Sequence, residues 1–494
     1  MRPGLLFADR DLDLDSLPAP DQSLVADVGL ERLYAAMSQG DPFLDELVRR
    51  VVPAPLASVD AIRYRQSTVT DALAAPDVVR ELYAIAVDAI EAERKVWGSM
   101  MRNAELVLDR AAEVIGLFLE SFRAMRRIEA EHASAFKSPA FVGFFERIAS
   151  QVDDAWLAEA DDHVRRLRTR TLHVSARLGT GNRGTGYVLH RQPNVIRGWR
   201  GRLGLDERRS TVEVLLKDQN AMNMVSELRA TAIAPTAGVV RESEQWILAF
   251  FKVLRAELGF LIGCLNLHEA IAAVDGGLCM PDPVAAGEPA FSASGLYDPG
   301  LRLSISGPVI GNELVADGAR IVVITGANGG GKSTILRAVG LAHVMMQAGM
   351  FVAADLFTAS LHSNVLTHFT REEDATLQGG KLHEELGRLA TLVGACTPAS
   401  LVLLNESLAS TNEREGAEIA RQVVTALADS GVEVWFVTHN HQFAADLHHA
   451  ALPHVRFLRA ERGGEGDRSF HIVEAPPLPT SHGMDLYRRI LSEA

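Results

Sequence analysis

The chain has 494 residues, 47% of them apolar and 23% charged, and no long biased tract interrupts it. That length exceeds one ordinary hydrophobic core, so two or three globular domains are expected. A formal net charge of −14 argues against a protein that coats nucleic acid with its whole surface, while leaving room for a local basic face.

Cys264, Cys279 and Cys396 are odd in number, scattered and set among apolar residues. They read as buried thiols in a reducing compartment, without metal-ligand spacing. Met1-Arg-Pro-Gly runs into the acidic stretch Asp9–Asp15 with no apolar core segment, so no secretory leader is expected. The most apolar helical stretch, 246–274, carries Lys252, Arg255 and Glu257 within one membrane-length window, which marks a core helix and not a span. A cytoplasmic protein without a membrane partner is expected.

Residues 1–20 read as a polar lead-in. Helical periodicity occupies about 22–50 and is broken by Pro53 and Pro55; a second stretch begins near Ser58, a suitable N-cap. No proline occurs between Pro76 and Pro139, and Val107, Ala111, Val114, Phe118, Phe122 and Met125 form one apolar stripe on a long helix. Such a stripe signals packing, not chemistry. Between Arg165 and Arg209 the chain carries twelve arginines, no lysine and two acids, with glycines 179, 181, 184 and 186 around an expected turn. The texture predicts a small β hairpin inside a helical domain. Two readings of its charge stay open: a surface for a phosphate backbone, or arginines paired with acids elsewhere. Helical periodicity returns over Val239–Val274 with Phe250, Leu254, Leu258, Leu261, Leu265 and His268 on one face, His268 as a hydrogen-bonded core histidine. Breakers from Gly276 to Pro289 mark a boundary, and an alternation of strands and helices follows.

The most informative stretch is 319–334. A β-branched run ending at Thr325 suits a buried parallel strand, and Gly326-Ala-Asn328-Gly329-Gly330-Gly331-Lys332-Ser333-Thr334 fits the phosphate-loop spacing. Glycines let successive backbone N–H groups turn around phosphate oxygens. Lys332 reaches the β- and γ-phosphates, the Ser333 hydroxyl is placed for Mg²⁺, and a helix over 333–347 adds its positive end. A nucleotide with Mg²⁺ is therefore the expected ligand set.

A second buried strand, Leu401–Leu404, delivers Asn405 and Glu406 at its C-terminal end, where α/β sheets hold ligands. Glu406 is suited to orient or deprotonate an attacking water. Asn405 stands where a metal-supporting Asp is usual; its amide oxygen can hold a metal-bound water but brings no charge. A third strand, Val432–Thr438, ends at His439, which is placed to contact the terminal phosphate. His439 and His441 lack a third ligand at metal spacing.

Together these segments resemble the MutS family of mismatch-repair ATPases. Gly326–Thr334 follows that family's Gly-Pro-Asn-Met-Gly-Gly-Lys-Ser-Thr except at Ala327 and Gly329. Leu401–Ala420, with Asn405-Glu406, Thr411 and Gly416, is similar to its Asp-Glu block, and Thr438–His441 to its Ala-Thr-His-Tyr segment. Gly349–Ala354, Pro55–Leu73 with Arg65 and Gln66, and the helix from Glu257 resemble further parts.

The resemblance implies an α plus α/β architecture. A helical core and lever domain with a small β insertion would span 21–285, with the basic insertion near 165–210. An ABC-type phosphate-loop ATPase domain would span 290–475, and a helical tail 476–494. It implies a homodimer with two composite ATP sites that steers helical levers and DNA, in a nucleoid-associated setting with repair partners. The family's completing segment carries a serine, and here Gly380 stands in its place. Members that read mismatches carry an N-terminal Phe-x-Glu motif; Phe144-Phe145-Glu146 fits the letters but lies in a helical apolar context and reads as packing. Clamping of branched or unusual DNA is therefore the leading expectation. The rival is a nucleotide-gated protein-interaction module with little hydrolysis, and a transporter ATPase is disfavoured because Ala390–Cys396 replaces the Leu-Ser-Gly-Gly-Gln-type signature.

Overall fold

The computed structural model describes residues 1–96, 103–168, 173–178, 184–190, 219–274, 276–287, 289–327, 329–370, 380–462 and 468–478; for 173–178, 184–190 and 219–232 only the backbone is described. The helices are α1 Gln22–Val28, α2 Leu30–Ser38, α3 Pro42–Val51, α4 Val59–Ala74, α5 Pro76–Lys95, α6 Ala104–His132, α7 Pro139–Gln151 and α8 Asp154–Leu167. A hairpin, β1 His173–Leu178 and β2 Gly184–His190, precedes the 54-residue α9, Gln219–Ala272. Then come β3 Asp282–Val284, β4 Phe291–Leu296, α10 Pro299–Arg302, β5 Asn312–Val315, β6 Ile321–Thr325 and α11 Lys332–Gln347. The chain continues through β7 Leu356–Ser360, β8 Val365–Phe369, α12 Lys381–Ala395, β9 Leu401–Asn405, α13 Glu413–Asp429, β10 Glu433–Val437, α14 His441–His449, β11 Val455–Arg462 and β12 Arg468–Glu474. The mixture of helices and mixed sheets agrees with the expected α plus α/β class.

Two compact units emerge. One comprises Ala84–Glu131 and Phe145–Arg255; the other comprises Arg2–Tyr83, His132–Phe144 and Ala256–Ala494. In the first, the stripe on α6 is buried from Ala111 to Met125, although Val107 is only partly covered. Phe118 and Phe122 each lie 5.3 Å from Phe251 between ring centroids, in the range where aromatic pairs add to burial. Arg110 is held between the carboxylates of Glu93 and Glu244, which satisfies a charge that this apolar interior would otherwise disfavour. The expected hairpin is present, with His173 opposite His190. Most of the arginine-rich segment lies outside the described residues. At its start, Arg165 and Arg166 both engage Asp162 on their own helix, α8.

The second unit holds both larger sheets. One has the order β12-β11-β6-β10-β9-β8, with β11, β6, β10, β9 and β8 parallel and β12 antiparallel at the edge. The central parallel strands β6, β10 and β9 are largely apolar, as expected where helices cover both faces of such a sheet; every residue of β6 and β10 is buried. The other sheet has the order β3-β7-β4-β5.

The first helices group with these sheets in one unit. The physical reason lies in α4. The fully buried guanidinium of Arg65 donates to Ala348 O at 3.0 Å and lies over the rings of Phe7 and Phe260. Within the first twenty residues Leu5, Leu6, Phe7 and Leu12 are buried, and the Leu5 N–H donates to the buried Glu257 at 2.7 Å. Ser58 caps α4 as expected. Helix α9 starts twenty residues before the expected 239 and contains Pro235. Its face is buried from Phe250 to Leu265, whereas His268 is half-buried with its ring edge-on to Phe351. Phe144 and Phe145 are buried, as packing requires. Cys264 is buried, but Cys279 and Cys396 only partly. No helix among the described residues is long and apolar enough to cross a membrane. The expected tail lies outside the described residues beyond 478.

Candidate active site

Strand β6 ends at Thr325, a glycine-rich turn follows, and α11 begins at Lys332. Gly326 has φ +114° and Gly329 φ +69°, conformations that residues with a Cβ rarely adopt. Their freedom is not the whole explanation of the glycines. The β11–β12 hairpin presses on the turn: a methyl group on Gly330 would lie 2.8 Å from the Ala460 Cβ, and one on Gly329 would lie 2.5 Å from an Arg468 Nη. Asn328 lies outside the described residues.

The Lys332 ammonium is buried and donates to the carbonyls of Gly326 and Ala327 at 3.0 and 2.9 Å. Among the described residues no carboxylate forms an ion pair with it. Burial lowers its pKa to about 8, opposed by the negative charge of Glu406. A buried cation satisfied by carbonyls alone is a strong attractor for an anion, and the free N–H groups at the start of α11 point the same way.

The two residues expected at the metal are adjacent: Ser333 Oγ donates to Asn405 Oδ1 at 2.8 Å. Both are neutral oxygen donors, a set that fits Mg²⁺ when phosphate oxygens and waters complete the octahedron. Glu406 follows β9 in the left-handed region, at φ +56°. Its N–H donates to Val437 O at 2.8 Å, and Thr370 Oγ1 donates to its carbonyl at 2.7 Å. These bonds offset the local strain and aim the carboxylate outward. His439, one residue past Thr438 at the end of β10, lies with Nε2 2.8 Å from Glu406 Oε1. The hydrogen bond from His439 holds the Glu406 carboxyl below its usual range against the opposing effect of burial. This pairing refines the expectation that His439 acts on phosphate directly.

Gly329, Gly331, Lys332, Ser333, Thr334 and Glu406 share a cleft of about 310 Å³ with Tyr297, Ile305, Ile310 and Phe470. The lining joins polar and charged groups of the turn and Glu406 to apolar and aromatic side chains, with Phe470 beside Gly331. Such a cleft suits a ligand with a charged and a flat apolar part. The apolar lining escaped sequence reasoning because its residues come from three separate segments with no common spacing.

Sequence reasoning also missed the support behind Glu406. His368 Nδ1 lies 2.7 Å from Ser407 Oγ and its Nε2 3.4 Å from Glu385 O, while Ser407 Oγ lies 2.9 Å from His368 O. Glu385 on α12 accepts the Leu408 N–H. Burial holds His368 below its usual pKa. Gly380 is the N-cap of α12, and among the described residues nothing lies within 4 Å of where its β-carbon would stand; Gln378 and Gly379 lie outside the described residues.

Comparison with known proteins gives a consistent picture. Residues 57–274 match the model of the MutS2 N-terminal domain, and residues 322–488 match that of MutS domain V. A DNA mismatch repair protein MutS of Chloroflexus aurantiacus is 34% identical over 200 residues, 37% of this chain and 21% of that protein. A DNA mismatch repair protein MutS 2 of Halobacterium salinarum is 33% identical over 231 residues, covering 44% and 26%. An Endonuclease MutS2 of an Anaeromyxobacter species is 28% identical over 257 residues, covering 47% and 30%. The match therefore spans less than a third of the length of these relatives.

Proposed function

On the premise that this chain belongs to the MutS family, we propose that it binds and hydrolyses ATP and uses the nucleotide state to control a DNA-holding dimer in repair or recombination. The observation that carries the reading is the buried Lys332 ammonium, which has only carbonyl partners among the described residues and lies beside the N-terminus of α11. A triphosphate supplies the missing negative charge. The loop from Gly326 to Thr334, Asn328 included, wraps the phosphates, and the base lies against the apolar lining near Tyr297 and Phe470.

Mg²⁺ would be held by Ser333 Oγ and Asn405 Oδ1 and would neutralise phosphate charge. The Glu406 carboxylate accepts a hydrogen bond from the attacking water and takes its proton as the water oxygen adds to the terminal phosphorus and the bond from that phosphorus to the β,γ-bridging oxygen breaks, so that ADP leaves and phosphate is formed. His439 holds that carboxylate in place and stabilises its anionic form. In the dimer, the segment at Gly380 completes the partner's site, and residues 290–475 form the ATPase domain that drives the helical part over 21–285.

The test is Glu406→Gln. ATP binding should persist while turnover falls by about a hundredfold or more, the usual scale for a lost general base; unchanged hydrolysis would remove Glu406 from the mechanism. A second reading, a nucleotide-gated module with a protein partner and little hydrolysis, is favoured by the uncharged Asn405. ATPase rates with and without duplex or branched DNA separate the two, since DNA stimulation belongs to the first reading alone.

A further inference from the structure

The β11–β12 hairpin is irregular at the place where it meets the glycine turn. Ala460 pairs with Ile472 and Arg462 with Arg468, so Ser469, Phe470 and His471 stand opposite Glu461 alone. Phe470 takes φ +57° within this bulge. A bulge of this kind re-aims side chains. The strand is pinned beyond it, because the buried Ile472 N–H donates to Asn312 Oδ1 at 2.7 Å and Asn312 Nδ2 donates to Phe470 O at 3.4 Å.

The result is specific at one position. The exposed Arg468 side chain lies over Gly329, with an Nη 2.5 Å and the Cζ 2.8 Å from where a β-carbon would stand. Gly329 lines the cleft, and it is one of the two positions at which the loop departs from the motif it resembles. Any side chain there would evict the guanidinium. Among the described residues no carboxylate pairs with Arg468, so its charge is not already committed to an acid.

We propose that Arg468 is a second phosphate-binding cation, supplied in cis by the edge hairpin, which closes on the terminal phosphate and lets the site distinguish a triphosphate from a diphosphate. This rests on the nucleotide reading of the Gly326–Thr334 loop. A planar guanidinium donates two parallel N–H groups to phosphate oxygens, which the single ammonium of Lys332 cannot do. It also adds positive charge to a site where Asn405 supplies no anion, so an extra γ-phosphate is favoured most.

The experiment is equilibrium binding of ATP and ADP to Arg468→Ala, Arg468→Lys and Lys332→Ala full-length protein, with thermal unfolding of each nucleotide-free variant. Arg468→Ala should weaken ATP by about tenfold or more and ADP by less than about threefold, with Arg468→Lys between, as a charge-assisted phosphate contact requires. A purely structural role for Arg468 would lower the unfolding temperature and weaken both nucleotides alike. That result, or unchanged affinities, overturns the proposal. Retention of ATP by Lys332→Ala would remove the nucleotide reading itself, whereas a nucleotide-free Lys332→Ala beside an unaffected Arg468→Ala would remove only Arg468.

Discussion

The Glu385 carboxylate accepts the N–H of Leu408 at 2.6 Å, tying α12 to the turn two residues past Glu406. Both Glu406 and Leu408 sit at positive φ, so the turn is held by its bonds and not by intrinsic preference. Gly380 is the N-cap of α12, and Glu385 is the fifth residue of that helix. Glu385 thus ties the first turns of α12 to the turn that carries Glu406.

Replacing Glu385 by Ala leaves a buried N–H without a partner, which costs about 1–3 kcal/mol. Unfolding by denaturant should show that loss. ATP turnover should fall more than ATP affinity, because the turn positions Glu406 and not the phosphates. Glu385→Gln, which keeps an acceptor, should retain most of both. Equal stability of Glu385→Ala and the parent would show that the bond is dispensable.

Lys332 gives a pH signature. Its pKa near 8 in the free protein reflects burial of the charged form, and a bound triphosphate raises it again. ATP binding should be nearly independent of pH below about 8 and weaken above it, by up to about tenfold per pH unit, because the protein must then take up a proton. Calorimetry in two buffers of different ionisation heat at pH 8.5 measures that proton directly; zero uptake contradicts the assignment.

Glu433 is buried beside Trp435, whose Nε1 donates to it at 2.8 Å, and burial raises its pKa to about 7. A raised acid contributes its full stability below its unfolded pKa of about 4.5, and that contribution is lost as pH rises towards 7. Glu433→Gln should therefore gain on the parent between pH 4.5 and 7 by on the order of 2 kcal/mol and hold that gain above. Parallel melting curves across this range would refute it.

Asn405 tests the metal assignment. Asn405→Asp places a charge 2.8 Å from the Ser333 hydroxyl without changing side-chain size. Mg²⁺ should be needed at about tenfold lower concentration, and turnover should rise, since hard cations favour anionic oxygen. A Mg²⁺ titration of ATPase activity reads this, and an unchanged midpoint places the metal elsewhere.

The sequence by itself determined the strand–turn–helix at 321–347, the buried strands that end at Asn405 and Thr438, the hairpin at 173–190 and the stripe on α6. Each is written in contiguous spacing, and period-two and period-3.6 patterns are local properties of the chain. Tertiary structure alone decided that His439 serves Glu406, that Arg65 joins the first helices to the sheet-bearing unit, that Leu5 and Phe7 are buried, and that Arg468 lies on Gly329. Those pairs are separated by tens to hundreds of residues. They are fixed by the need to satisfy buried charges and fill space, which no local pattern records.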